Sequence, residues 1–184
     1  MDTDLEELFS NYDAILEAKK SVTVGDTMDA NEFNNLYKLL NQINIPKQNK
    51  TDNRSNFPPH RNIVFGLTRK RFNGETELSA ASLKYSVIYE ELERIGKKIC
   101  PFPFTSIHIN KDVTCPRHKD ETNIGKSLLV SFGDYTGSKI VIEGIEYDSK
   151  CTPLIFNGFL AEHWNTEDLE GTKCSLIFYN IKRV

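Results

Sequence analysis

Apolar residues recur at helical spacing early in the chain and as short alternating runs later. Leu5, Leu8, Phe9, Tyr12, Ile15 and Leu16 form one apolar stripe of a first helix, with Thr3 and Glu6 spaced as a capping box at its start. A second helix follows Asp29, turning Phe33, Leu36, Tyr37, Leu40 and Ile43 inward and ending before Pro46. A third begins at Ser79, carries Leu83, Val87, Leu92, Ile95 and Ile99 along one side, and is stopped by Pro101 and Pro103. Between the second and third, residues 46–60 read as a mobile loop and Asn62–Leu67 as a first strand. From Phe104 onward the period changes. Strands are expected over 104–110, 127–132, 139–142, 145–148, 153–156 and 172–180, with Gly133, Gly137, Gly144 and Gly158 between them. Short strands at regular spacing predict a mainly β sandwich or jelly roll, and the helical stripes need such a surface to cover.

A chain of 184 residues fills one domain and is short for two. The division expected is a helical extension with a basic loop over residues 1–60, packed on a β domain over residues 61–184. With 39% apolar and 27% charged residues, the composition is that of an ordinary globular protein. No apolar run approaches the length of a membrane span, and the first twenty residues are acidic, unlike a signal peptide. An intracellular protein of cytoplasm or nucleus, with no membrane partner, is therefore expected. Cys100, Cys115, Cys151 and Cys174 show no Cys-x-x-Cys spacing and are expected as reduced thiols; Cys115, three residues before His118, either lines a pocket, open to oxidation there, or is a small buried filler.

The net charge of −3 does not by itself suggest a nucleic-acid partner, but its distribution is uneven. Residues 1–32 carry nine acids against Lys19 and Lys20, whereas residues 47–71 carry seven bases against Asp52 alone. The basic stretch, extended by Lys182 and Arg183, suits either a phosphate backbone or a solvated loop.

The stretch Pro116–Asn123 carries the chemistry. His118 and Asp120 present an imidazole and a carboxylate two residues apart, and His163 follows 43 residues after Asp120. Two histidines and one carboxylate are the donor set of the facial triad of non-haem Fe(II) oxygenases, which leaves coordination positions open. Ten residues beyond His163, Lys173 and Ser175 project to one face of an extended strand, where an ammonium and a hydroxyl suit a carboxylate.

In these residues the chain resembles the 2-oxoglutarate/Fe(II)-dependent dioxygenases. Residues 104–110, His118-x-Asp120-x-x-Asn123-x-Gly125-x-Ser127, residues 133–137 and Phe156-Asn157-Gly158 are similar to the Tet/JBP group of nucleic-acid oxygenases, over about residues 60–181. The resemblance implies a double-stranded β-helix (jelly-roll) core and Fe(II) on His118, Asp120 and His163. It also implies 2-oxoglutarate anchored by Lys173 and Ser175, dioxygen as the oxidant, and Asn123 at the target base. The substrate it implies is the methyl group of 5-methylcytosine or thymine in DNA or RNA, extracted from the stack if the substrate is a duplex. Lys173 stands where that group carries arginine and sits closer to the second histidine, a spacing nearer to prolyl and lysyl hydroxylases, so a protein or peptide substrate is the alternative. A jelly-roll binding module without catalysis is a third reading.

Other residues have two readings each. His108 and Asn110 share a strand face and either line the pocket beside the cosubstrate or are hydrogen-bonded strand residues. Asn123 either meets a base edge or caps the turn after Asp120. Arg117 and Lys119 either meet phosphates at the mouth of the site or are exposed loop charges. Trp164 either stacks on a substrate ring or packs. His60 is expected in a loop, residues 133–137 in a turn.

Overall fold

The computed structural model describes residues 3–48, 60–70 and 73–182. In chain order these form helix α1 (Thr3–Lys19), strand β1 (Thr23–Val24), a 3-10 turn (Ala30–Phe33) and helix α2 (Asn34–Asn41). Strands β2 (Arg61–Arg69) and β3 (Thr76–Leu78) come next, with helices α3 (Ala80–Lys84) and α4 (Ser86–Ile99) after them. Nine strands complete the chain: β4 (Ser106–Lys111), β5 (Ser127–Phe132), β6 (Tyr135–Thr136), β7 (Ile140–Ile142), β8 (Ile145–Tyr147), β9 (Leu154–Phe156), β10 (His163–Asn165), β11 (Glu170–Gly171) and β12 (Cys174–Tyr179). The loop expected over 46–60 lies mostly outside the described residues, as do Lys50, Arg54, Arg71 and Arg183 of the basic stretch. The capping box at Thr3 lies outside the described side chains.

The strands form a mainly β sandwich with flanking helices. A seven-stranded antiparallel sheet runs in the order β1-β9-β5-β12-β4-β2-β3, and a three-stranded sheet, β10-β7-β8, stands opposite part of it. The alternation of strand side chains divides the large sheet into two faces. Ile107 and Ile109 of β4, Leu128 and Val130 of β5, and Leu176 and Phe178 of β12 pack with Phe33, Leu36, Leu40, Leu92 and Ile95 from the helices. His108, Asn110, Leu129, Ser175, Ile177 and Tyr179, one residue out of step, line a cavity on the other face. A smaller apolar cluster of Ile140, Ile142, Leu154, Phe156 and Ala161 fills the space between the two sheets beside that cavity.

Helix α2 and the turn before it bury the expected Phe33, Leu36 and Leu40, but the other two helices depart from the expected pattern. Most of the described α1 stripe is uncovered: Leu8, Phe9, Tyr12 and Ile15 are each more than half exposed, and Leu16 is half-buried. The third helix is two, because Tyr85 (φ −120°, ψ 52°) interrupts it after a first segment capped by the Ser79 hydroxyl. The break rotates the buried face, so Ile88, Leu92, Ile95 and Gly96 face the sheet while Leu83 and Val87 face solvent. Of the expected strands, Ser127–Phe132 has the expected bounds and the rest agree to within a residue or two. Strands β1, β3, β6, β10 and β11 lack a sequence signal, since two or three residues are too few to show alternation. Residues 133–137 accordingly hold β6, paired with β11, as well as turns.

Among the described residues no helix is long and apolar enough to cross a membrane. None of the four cysteines is in a disulfide.

Candidate active site

His118 and His163 meet through their backbones before their side chains do. Each donates its N–H to the other's carbonyl, at 3.0 and 2.9 Å, in an isolated antiparallel bridge at the end of β10. Strand β10 is held by β7, where His163 pairs with Ile142. The bridge brings the two imidazoles to one place, with ring centroids 4.3 Å apart.

Their tautomers follow from their partners. His118 Nδ1 lies 2.7 Å from the carbonyl of Pro116, and His163 Nδ1 lies 2.9 Å from that of Ala161. A carbonyl only accepts, so each neutral ring carries its proton on Nδ1 and turns Nε2 with its lone pair inward. Both Nε2 atoms stand 3.7 Å from Asp120 Oδ1, beyond hydrogen-bond range. The three donor atoms lie within 4.8 Å of one another. Imidazole nitrogens with their outer N–H groups anchored, converging on one carboxylate oxygen, fit a divalent transition-metal ion.

Asp120 is held from behind. Its N–H donates to Gly158 O at 2.9 Å, and its Oδ2 accepts from Asn123 Nδ2 at 2.9 Å. The same Nδ2 lies 3.2 Å from Ser127 Oγ, which occupies its second hydrogen. Both amide hydrogens of Asn123 are thus engaged, one at Asp120 and one at Ser127.

These groups border a cavity of about 160 Å³. His108, Asn110, His118, Asp120, Asn123, His163, Trp164, Lys173 and Ser175 all line it. Of the expected substrate contacts, Arg117 and Lys119 are not among the lining residues. Arg117 is paired with Glu162 at 2.7 Å and lies 4.4 Å over the Trp164 ring, backing that side chain instead of entering the cavity.

Lys173 is 2% exposed, which excludes a solvated strand lysine. Its backbone N–H donates to Asp112 Oδ1 at 2.7 Å just before β12 begins. Its ammonium donates to Ser138 O at 2.6 Å and Ser138 Oγ at 2.9 Å, leaving one N–H for a ligand. The Tyr135 ring lies 5.3 Å below it, and the Tyr135 hydroxyl is tied to Ser131 Oγ at 2.7 Å. Burial lowers the Lys173 ammonium to about 8, against the opposing pull of Cys115, Asp148 and Asp168, and raises the Tyr135 phenol to about 12. A dry ammonium with no carboxylate within ion-pair distance among the described residues suits an anion chemically.

Other residues complete the site. Cys115 is half-buried and borders the cavity, the first of its two expected places. His60, expected as a loop residue, also lines it, 2.6 Å from the Asn62 amide. Ser138, the partner of Lys173, lies 35 positions away and carries no local signal. Gly158 stood inside the stretch that carries the family resemblance, and its role is visible only in space.

No protein-family model and no curated protein matches the chain in sequence. Solved structures do match its fold. One is NgTET1 in complex with 5mC DNA, with a TM-score of 0.57 and 12% identity over 88% of this chain and 72% of that one. Another is an oxidoreductase of the 2OG-Fe(II) oxygenase family from Burkholderia pseudomallei, with a TM-score of 0.56 and 16% identity over 92% and 89% of the two chains. A third is a Pseudomonas putida prolyl-4-hydroxylase, with a TM-score of 0.52 and 12% identity over 92% and 98%. The chain therefore has the double-stranded β-helix fold of the 2OG-Fe(II) oxygenases, and its resemblance to Tet-type and prolyl-hydroxylase members holds at the level of fold.

Proposed function

We propose that the chain is an Fe(II)- and 2-oxoglutarate-dependent dioxygenase that hydroxylates a substrate C–H bond, most directly the methyl group of a 5-methylpyrimidine in DNA or RNA. The observation that carries the reading is the convergence of His118 Nε2, His163 Nε2 and Asp120 Oδ1 in one cavity with the buried ammonium of Lys173. His118, Asp120 and His163 would hold the metal, which with 2-oxoglutarate and dioxygen supplies oxidative decarboxylation coupled to hydroxylation. Lys173 and Ser175 grip the distal carboxylate, with His108 and Asn110 beside them on the same wall. Burial strengthens that grip, because the ammonium has exchanged water for a few fixed dipoles. Leu129, Ile140, Phe156 and Ile177 form apolar parts of the wall and keep water from the reacting centre.

Asn123 narrows the base. Both of its amide hydrogens are engaged by Asp120 and Ser127, so Oδ1 is the atom left for a substrate. An acceptor suits the exocyclic amine of 5-methylcytosine, and it opposes the carbonyl oxygen that thymine carries at that place. Trp164, backed by Arg117, offers a ring on which a base can stack.

A protein or peptide substrate remains the second reading because the described bases of the 47–71 stretch are largely spent within the chain. Arg61 donates to Asn44 and to Ile45 O, Arg69 donates to Ile181 O, and Lys70 pairs with Glu75 and Glu77. The deciding experiment incubates the iron-loaded protein and 2-oxoglutarate with 5-methylcytosine DNA, thymine DNA and peptide libraries, and follows the mass of the products. A gain of one oxygen on 5-methylcytosine supports the first reading. Oxygen on a prolyl or lysyl residue alone replaces it with the second, and binding without turnover leaves a jelly-roll binding module.

A further inference from the structure

The two oxygens of Asp120 have different surroundings. Oδ1 faces both histidines, 3.7 Å from each Nε2. Oδ2 faces away and is hemmed in from two sides. On one side Asn123 Nδ2 donates to it at 2.9 Å. A carboxylate only accepts, so this contact fixes which end of the Asn123 amide is nitrogen, and a hydrogen bond to an ionised group is among the stronger ones. On the other side is Gly158. A Cβ built there would overlap Oδ2 and stand 3.0 Å from Asp120 Cγ and 3.4 Å from His163 Cε1. Gly158 has no positive φ, so the need for glycine is one of space and not of backbone conformation. The Gly158 carbonyl also accepts the Asp120 N–H at 2.9 Å, which fastens the 157–160 turn against the carboxylate.

We propose that Asn123 and Gly158 are positioning residues that make Asp120 a one-oxygen ligand, with Oδ2 withheld from the metal and Oδ1 presented to it. The inference rests on reading His118, Asp120 and His163 as a metal site. Its consequence is that a position is kept open: a carboxylate free to rotate can bind through both oxygens and take up one of the positions a bidentate 2-oxo acid and dioxygen require. Asn123 acts through Asp120 here.

Co(II) titration of the whole chain, followed by its visible absorption, tests this without turnover. Wild type, Asn123→Ala, Gly158→Ala, Ser127→Ala and His118→Ala are compared, with a thermal melt of each metal-free protein to show that it is folded. Asn123→Ala is expected to weaken Co(II) by about 10–100-fold, the usual effect of losing a hydrogen bond to a ligand, and to change the shape of the Co(II) bands as Oδ2 is released. Gly158→Ala, which crowds the same oxygen from the other side, is expected to alter the bands as well. It keeps the test available if Asn123→Ala does not fold. Ser127→Ala removes the other partner of the Asn123 amide and is expected to leave affinity and bands near those of wild type. Folded Asn123→Ala and Gly158→Ala proteins with wild-type affinity and spectrum, while His118→Ala loses binding, would overturn the positioning role and leave the metal site standing. Ser127→Ala matching Asn123→Ala in affinity and spectrum would likewise overturn it, since Asn123 would then act by bracing the loop. No Co(II) uptake by wild type would overturn the metal site and the positioning role together.

Discussion

Lys173 shows how one residue's setting becomes a measurable property. Its ammonium is dry and is bonded to Ser138 O and Oγ, and burial has lowered it to about 8. A carboxylate needs the charged form. Above about 8 the unliganded protein loses that proton, so 2-oxoglutarate affinity is expected to be flat below this pH and to fall above it, by up to about tenfold per pH unit. Titration at several pH values, read by the fluorescence of Trp164, the single tryptophan and a cavity residue, checks this. Lys173→Met is expected to bind weakly at every pH and to show no such inflection. A wild-type affinity independent of pH between 7 and 10 would remove Lys173 from the anion site. The candidate triad was legible because His118 and Asp120 are near in sequence and lie in a stretch resembling known ligands. Ser138 was not, because its bond to Lys173 spans 35 positions, and neither was the room that Gly158 leaves for Asp120 Oδ2.

At the scale of elements, helix register matters most. The strands were readable because alternation marks both faces of a half-buried sheet, and β4 and β12 keep that alternation between helix side and cavity side. The helices were less so. Amphipathicity records a capacity to bury a face, not what covers it, and Leu8, Phe9, Tyr12 and Ile15 of the α1 stripe lie exposed; nor did the run from Ser79 announce the break at Tyr85. Two substitutions on the two sides of that break should therefore differ. Leu92→Ala, fully buried, is expected to cost about 2–5 kcal/mol, whereas Leu83→Ala, 71% exposed, is expected to stay within about 0.5 kcal/mol. Equal effects in urea unfolding would contradict the observed register. Gly96 on the same helix gives a sharper test. A Cβ there would stand 2.6 Å from Phe178 and 2.5 Å from Phe104. Gly96→Ala is expected to destabilise despite a helix-propensity gain of about 1 kcal/mol, because overpacking typically costs about 1–3 kcal/mol.

For the molecule as a whole, one sheet serves two ends: its helix side supplies the core, and its other side, with β7 and β10 opposite, supplies a cavity where triad and ammonium face the same space. If a nucleic acid is the substrate, its affinity should fall steeply with salt through release of counterions, and a peptide's should not. The described bases Arg61, Arg69 and Lys70 are engaged within the chain, so a steep slope would have to arise from other residues. The central claim is that this cavity holds iron and a 2-oxo acid together. Its most direct test is an anaerobic Fe(II) titration in the presence of 2-oxoglutarate, watching for the weak visible charge-transfer band of the chelate in wild type and in His118→Ala. The expected result is a saturable band in wild type that is absent from the variant. A well-folded wild-type protein with no band, or a band that survives in His118→Ala, would contradict it.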